Sequence, residues 1–270
     1  MLHSFFISLV FVTLIPILYA ISISLSSSNS LVSVDFSFIP KKATLNNYLI
    51  LFKDYPMLLW FRNSVILAVL TLVLSLSVSI PAAYGFSRMK FLFKKSIFQG
   101  LILLNTFPAI LSMFALWRLM SNDSINLVNT KFGLIIIYAG TMTIFGIMNM
   151  KGYFDSIPIE IEEAARIDGA NDFQTIWMIL LPLAKPAIIV TGLMVLIYVW
   201  NEYIFSITFM TGNDNFTLAV GLYSLQAGET SGSWPIFAAA SLVTSIPVLI
   251  IFLSVQKHMI SGLTVGGVKA

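Results

Sequence analysis

Six apolar runs of roughly twenty residues, each long enough to cross a hydrocarbon core of about 30 Å as an α-helix, constrain this chain more than any other feature. They fall at about residues 5–25, 63–86, 97–117, 132–150, 184–209 and 236–255. Composition agrees, since 58% of residues are apolar and 10% are charged, against about 25% charged in an average soluble protein. The sequence therefore predicts an all-α integral membrane protein with six transmembrane helices, residues 1–270 forming one transmembrane domain surrounded by membrane lipid. The first run lacks the basic stretch of a signal peptide, with only the amino terminus and His3 before it, and is expected to remain as an uncleaved helix. Pro81 is expected to kink the second run, and Asn105, Thr106 and Pro108 lie in the interior of the third.

Lysines and arginines near helix ends orient such a chain. With both termini cytoplasmic, the inner segments hold nine of the fifteen: Arg88, Lys90, Lys94, Lys95, Lys151, Arg166, Lys185, Lys257 and Lys269. The last outer stretch, Thr211 to Trp234, holds none. Other classes find no support. The basic residues are scattered, so no nucleic-acid surface is expected. Cysteine is absent, which removes disulfides and thiolate chemistry. The only two histidines lie toward the termini, so no His-based triad or metal cluster is expected inside the membrane. Gly262 to Lys269 only approaches a phosphate loop, with Val268 where the lysine belongs.

Between the fourth and fifth runs lie residues 151–183, where the stretch from Glu160 to Asp172 gathers five of the twelve carboxylates: Glu160, Glu162, Glu163, Asp168 and Asp172. Such a segment is expected to be wet. Pro158 suits a first helical turn, and the acids after it sit near the positive end of a helix. Gly169 provides the left-handed closure of that helix, and Asn171, three residues before Gln174, caps the next. Glu162 and Arg166 are placed to pair across one turn, while Ala164 and Ala165 form a small patch open to a partner. The result is an elbow between two helices.

Glu202 is the only acid inside the predicted spans, and an ionisable residue there marks a functional position by default. Tyr198, Trp200, Asn201 and Tyr203 surround it with aromatic faces and hydrogen-bonding groups suited to a sugar. The same residues also fit an interfacial aromatic belt with a snorkelling acid.

The elbow carries a resemblance. Glu163-Ala164-Ala165, then Gly169, then Ile179, Leu181 and Pro182, is similar to the cytoplasmic signature of permease subunits of binding-protein-dependent ABC importers. Asn63, Ala82 to Arg88, Trp200 to Tyr203 and Gly262 to Lys269 resemble the carbohydrate branch, the ending most of all the maltose and maltodextrin type. The resemblance implies the type I ABC importer permease fold in a bacterial or archaeal cell membrane. It also implies that Glu163, Ala164, Ala165, Asp168, Gly169, Ile179, Leu181 and Pro182 couple the chain to an ATPase. The partners it implies are a second permease subunit, two ATPase subunits and an external sugar-binding protein. ATP and magnesium would be held by the ATPase, and this chain would not be an enzyme. Asn105, Tyr198, Trp200, Asn201, Glu202 and Tyr203 are candidates for the substrate path, and Phe216, Tyr223 and Gly228 for a loop facing the binding protein. The competing reading is a proton-coupled carrier that titrates Glu202; within the importer class, another sugar or a polyol phosphate is the alternative cargo.

Overall fold

In the computed structural model, which describes residues 2–27, 42–227 and 233–266, helices form over all six apolar runs, and among the described residues no strand forms beyond one isolated bridge between Ser26 and Ala43. Four helices are long and apolar enough to cross a membrane: Leu2–Ser24, Met57–Arg88, Lys131–Ser156 and Trp234–Lys257, the last continuing to Gly266. The helix Met57–Arg88 runs through Pro81. The third run is a bent pair, and a second bend joins the elbow to the fifth run. Lys94–Thr106 and Ala109–Met120 meet at 95°, and Asp172–Leu183 and Lys185–Asn201 at 75°. At the first bend Phe107 is extended at φ −68°, ψ 130°, as steric conflict with the ring of Pro108 demands of a residue before proline.

The described residues divide at 64/65, 210/211 and 249/250 into two compact units. In the unit that contains both ends of the loop 211–234, polar side chains hold backbone carbonyls that have no helical partner. Asn47 Nδ2 donates to the carbonyls of Ser24 and Ser26, each at 2.8 Å. The Trp60 indole donates to Asn213 O at 3.0 Å, and Asn63 Nδ2 to Asp214 O at 2.8 Å and Phe216 O at 3.0 Å. Ser64 Oγ accepts from Leu218 N at 2.9 Å, at the start of the helix Leu218–Ala227. A Cβ on Gly221 would stand 2.1 Å from the Trp60 ring, so the helix seats against it only with glycine there. The stretch expected to be an open loop therefore contains a pinned helix. Gly228 lies outside the described residues, as do Gly267 to Lys269 of the carboxyl-terminal ending.

Among the described residues of the other unit, two apolar centres stand out. Tyr138, Leu134, Val195, Phe205 and Phe209 belong to one, and Ala83, Tyr84, Met150, Phe154, Leu180 and Ala184, next to the elbow, to the other. Gly146 lets the helices Met57–Arg88, Lys131–Ser156 and Lys185–Asn201 meet: a Cβ there would lie 2.8 Å from Ser79 and 3.5 Å from Thr191 Cγ2. Asn149 Nδ2 ties the second of these helices to the third by donating to Thr191 Oγ1 at 2.6 Å.

Candidate functional site

The elbow is built as its local chemistry requires. Its first helix, Glu160–Ile167, begins at Ile159, which supplies no side-chain cap, and Glu160, Glu162 and Glu163 occupy the first turn, where their charge compensates the free N–H groups. Gly169 closes it at φ +87°. Gly169 N donates to Arg166 O at 3.1 Å and Ala170 N to Ala165 O at 2.9 Å, the paired bonds of a Schellman ending. Asn171 then starts the next helix with a complete capping box: its Oδ1 accepts from Gln174 N, and Gln174 Oε1 accepts from Asn171 N, both at 2.9 Å. That helix widens into a π turn over Thr175–Leu180, just before Pro182, whose missing N–H would leave an α-helical carbonyl unpaired.

Glu162 does not pair with Arg166. It is 3% exposed and forms an ion pair with Arg88 Nε, while Arg166 Nη2 turns to Asp172 Oδ1 at 3.1 Å. Arg88 Nη2 also donates to Ile157 O at 2.7 Å, and Tyr84 OH reaches Glu162 Oε2 at 3.5 Å. The expected small-residue patch is split as well, because Ala165 is buried and Ala164 exposed. The physical reason is the same for both. Glu162 and Ala165 are one turn apart on the inward face of a short helix, and tertiary packing claims that face. Removing one partner of a buried ion pair costs about 3–5 kcal/mol, so Glu162 and Arg88 hold the elbow to the membrane helices.

The outward face combines acids with apolar groups. Glu163, Asp168 and Gly169 are exposed, and beside them stand Ile167, 86% exposed, Phe173, 68%, and Met178, 71%. The Phe173 and Trp177 rings pack tilted at 40° with centroids 5.7 Å apart. Ile179 and Leu181 are half-buried, and Pro182 is exposed. A capped helix pair with exposed apolar side chains has the kind of surface that marks sites of interaction.

The Glu202 cluster takes a different form from the one expected. The fifth run ends as a helix at Asn201, and a break at Glu202 and Tyr203 leads to the short helix Ile204–Phe209. The Glu202 carboxylate caps that helix, accepting from Phe205 N at 2.8 Å and Ser206 N at 3.1 Å, and it also accepts from Tyr138 OH at 2.5 Å. Ser206 Oγ shares a hydrogen bond of 2.7 Å with the same phenol. Tyr198 lies edge-on to Tyr138, with centroids 6.0 Å apart. Asn201 is exposed and donates to Ile197 O at 2.8 Å, and Trp200 and Tyr203 are half-buried. Asn105 is exposed near the end of the helix Lys94–Thr106. Of the loop residues, Phe216 is half-buried and Tyr223 exposed. Sequence reasoning missed Tyr138, because one tyrosine in an apolar run carries no spacing signal.

Residues 62–263 match the family described as binding-protein-dependent transport system inner membrane component. The galactooligosaccharides transport system permease protein GanQ of Bacillus subtilis is 34% identical over 257 residues, which cover 94% of this chain and 89% of that protein. The maltose/maltodextrin transport system permease protein MalG of Photorhabdus laumondii is 34% identical over 282 residues, covering 99% of this chain and 94% of its own length. A solved bacterial ABC transporter involved in the import of the acidic polysaccharide alginate contains a chain that superposes with a TM-score of 0.82 at 26% identity, covering 95% of this chain and 94% of that one. The matched residues take in the elbow, the arginine that holds it and the Glu202 turn, and the chain belongs to the family of inner membrane components of binding-protein-dependent transport systems.

Proposed function

We propose that this chain is one of two permease halves of an ATP-driven sugar importer, and that its elbow receives the motion of an ATPase subunit. The observation that carries this reading is the elbow itself, a capped helix pair with an exposed apolar face, pinned from behind by a buried ion pair. Two ATPase subunits hold ATP and magnesium, a second permease completes the path, and an external binding protein delivers the cargo. Closing the ATPase pair shifts the membrane helices as rigid bodies between two states. Relatives named for galactooligosaccharides, for maltose and maltodextrin and for alginate support an oligosaccharide cargo, and the ending that resembles the maltodextrin type makes a maltodextrin the first to test. Tyr198, Trp200, Asn201 and Tyr203, with Asn105 on its own helix, are the residues proposed to border the path. Phe216 and Tyr223 are proposed to face the binding protein.

The test is accumulation in vesicles holding all the subunits, with ATP on the ATPase side and the proton gradient collapsed by an ionophore. Maltodextrin accumulation is expected to persist. Uptake that ignored ATP and vanished with the gradient would make the chain a proton-coupled carrier, and persistent uptake only of galactooligosaccharide would change the cargo.

The reading also requires the elbow to be cytoplasmic. Asp123 and Asp168 are exposed, and the chain has no cysteine of its own. An impermeant thiol reagent applied to intact cells is expected to label Asp123→Cys and to spare Asp168→Cys; the reverse pattern would invert the topology.

A further inference from the structure

We propose that Arg88 is the positioning residue that makes the long helix Met57–Arg88 follow the elbow. The inference rests on the coupling role of the elbow and adds the route by which its motion enters the membrane helices. The elbow helix Glu160–Ile167 has only two buried residues, Ala165 and Glu162. Alanine can pack but cannot pull, so Glu162 supplies the directional contact, and the group that meets it is the last residue of a 32-residue helix.

The guanidinium does more than balance a charge. While Nε holds Glu162, Nη2 donates to Ile157 O, the residue that ends the helix Lys131–Ser156 and opens into the elbow. One planar fork thus gathers the ends of two membrane helices and the elbow helix, a geometry that a lysine ammonium does not reproduce. Its surroundings are equally tied down. Ser87 Oγ donates to Asp155 Oδ1 at 2.6 Å, Lys151 Nζ holds the same carboxylate, and Lys94 Nζ caps the carbonyls of Ser87 and Met89 at 3.2 and 2.9 Å. Tyr84, one turn before Arg88, touches Glu162 from within the apolar centre and packs edge-on to Phe154 at 6.4 Å. The Arg88 side chain is 12% exposed, so neither water nor a mobile surface charge readily substitutes for Glu162.

If the fork is the link, breaking it lets the elbow move without the long helix, and ATP is hydrolysed without matching transport. The measurement is the ratio of sugar accumulated to ATP hydrolysed in vesicles with all subunits, for Arg88→Gln, Glu162→Gln, Arg88→Lys and the exchange Arg88→Glu with Glu162→Arg. Each glutamine variant is expected to lower the ratio by about fivefold or more, the lower end of typical coupling between sites. Arg88→Lys, which keeps the charge and loses the fork, is expected to fall between them and the unaltered chain. The exchange is expected to recover part of the ratio, as residues that act as a pair do. A purely structural role would reduce the amount of complex and leave the ratio of the surviving complex alone, and that result would overturn the proposal. Should a glutamine variant fail to accumulate in the membrane, Arg88→Lys decides by the same ratio. Failure of the unaltered chain to couple uptake to ATP would refute the importer reading, whereas normal coupling in every variant would refute only the role of Arg88.

Discussion

Leucine at Gly146 is expected to leave almost no folded chain in the membrane and no uptake, while alanine at Gly140 on the same helix is harmless. Both glycines lie within Lys131–Ser156. Gly140 has open space around its missing Cβ, so alanine there gains helix propensity, about 1 kcal/mol. At Gly146 even a Cβ would stand 2.8 Å from both Cβ and Oγ of Ser79, and the neighbouring atom next to a backbone cannot swing aside as a flexible side-chain tip can. Overpacking costs about 1–3 kcal/mol for small additions to a filled site; four added carbons push apart three helices, two of which the Asn149 to Thr191 bond holds together. Ser79 Oγ is buried without a hydrogen-bond partner, so Ser79→Gly removes both the obstacle and an unsatisfied atom. Gly146→Ala is accordingly expected to lower the melting temperature of the purified chain, and adding Ser79→Gly to restore it. A Gly146→Leu chain that accumulates, stays monodisperse and transports normally would show that the three helices do not meet there.

What the residues disclosed beforehand depended on the range of the interaction. The closure at Gly169 and the capping box of Asn171 and Gln174 were legible because each is decided within six residues by backbone sterics and local hydrogen bonding. The partner of Glu162 was not. A pair one turn apart is worth only a few tenths of a kcal/mol on an exposed helix, and Arg88, 74 positions away in sequence, offered a buried site instead. Arg88 closes the Ala82 to Arg88 stretch, but nothing in that spacing points at a carboxylate in the elbow. Hydropathy located the membrane runs and overlooked their interruptions: it averages across Phe107 and Pro108, and across Glu202 and Tyr203, where the backbone turns. The helix Leu218–Ala227 was hidden for the opposite reason, since glycines around a short apolar segment read as a loop until Ser64 and Trp60 are seen to seat it.

Glu202→Ala is expected to be the most damaging single change in the fifth run, and Glu202→Gln to be tolerated, because the carboxylate serves a turn inside the protein. Alanine removes the acceptor for Phe205 N and Ser206 N, both in buried residues at the start of a helix. Leaving a buried donor unpaired costs about 1–3 kcal/mol each, and Tyr138 OH would retain only Ser206 Oγ. Glutamine keeps one carbonyl oxygen for a backbone N–H, and its amide can donate to Tyr138 OH if that phenol donates to Ser206 in turn. The glutamine chain should therefore accumulate near the normal level and concentrate sugar with the proton gradient collapsed, at a rate proportional to the folded protein present. A proton carrier predicts no such ordering of function, since glutamine would remove its titrating group as completely as alanine does and concentrative uptake would be lost in both. Tyr138→Phe separates the remaining possibility. It deletes one donor to Glu202 and leaves both backbone bonds, so a loss smaller than that of Glu202→Ala is expected in the heat resistance of the purified chain. A Glu202→Ala chain as heat-resistant as the unaltered one, yet unable to transport, would mean that the carboxylate meets the cargo rather than the turn.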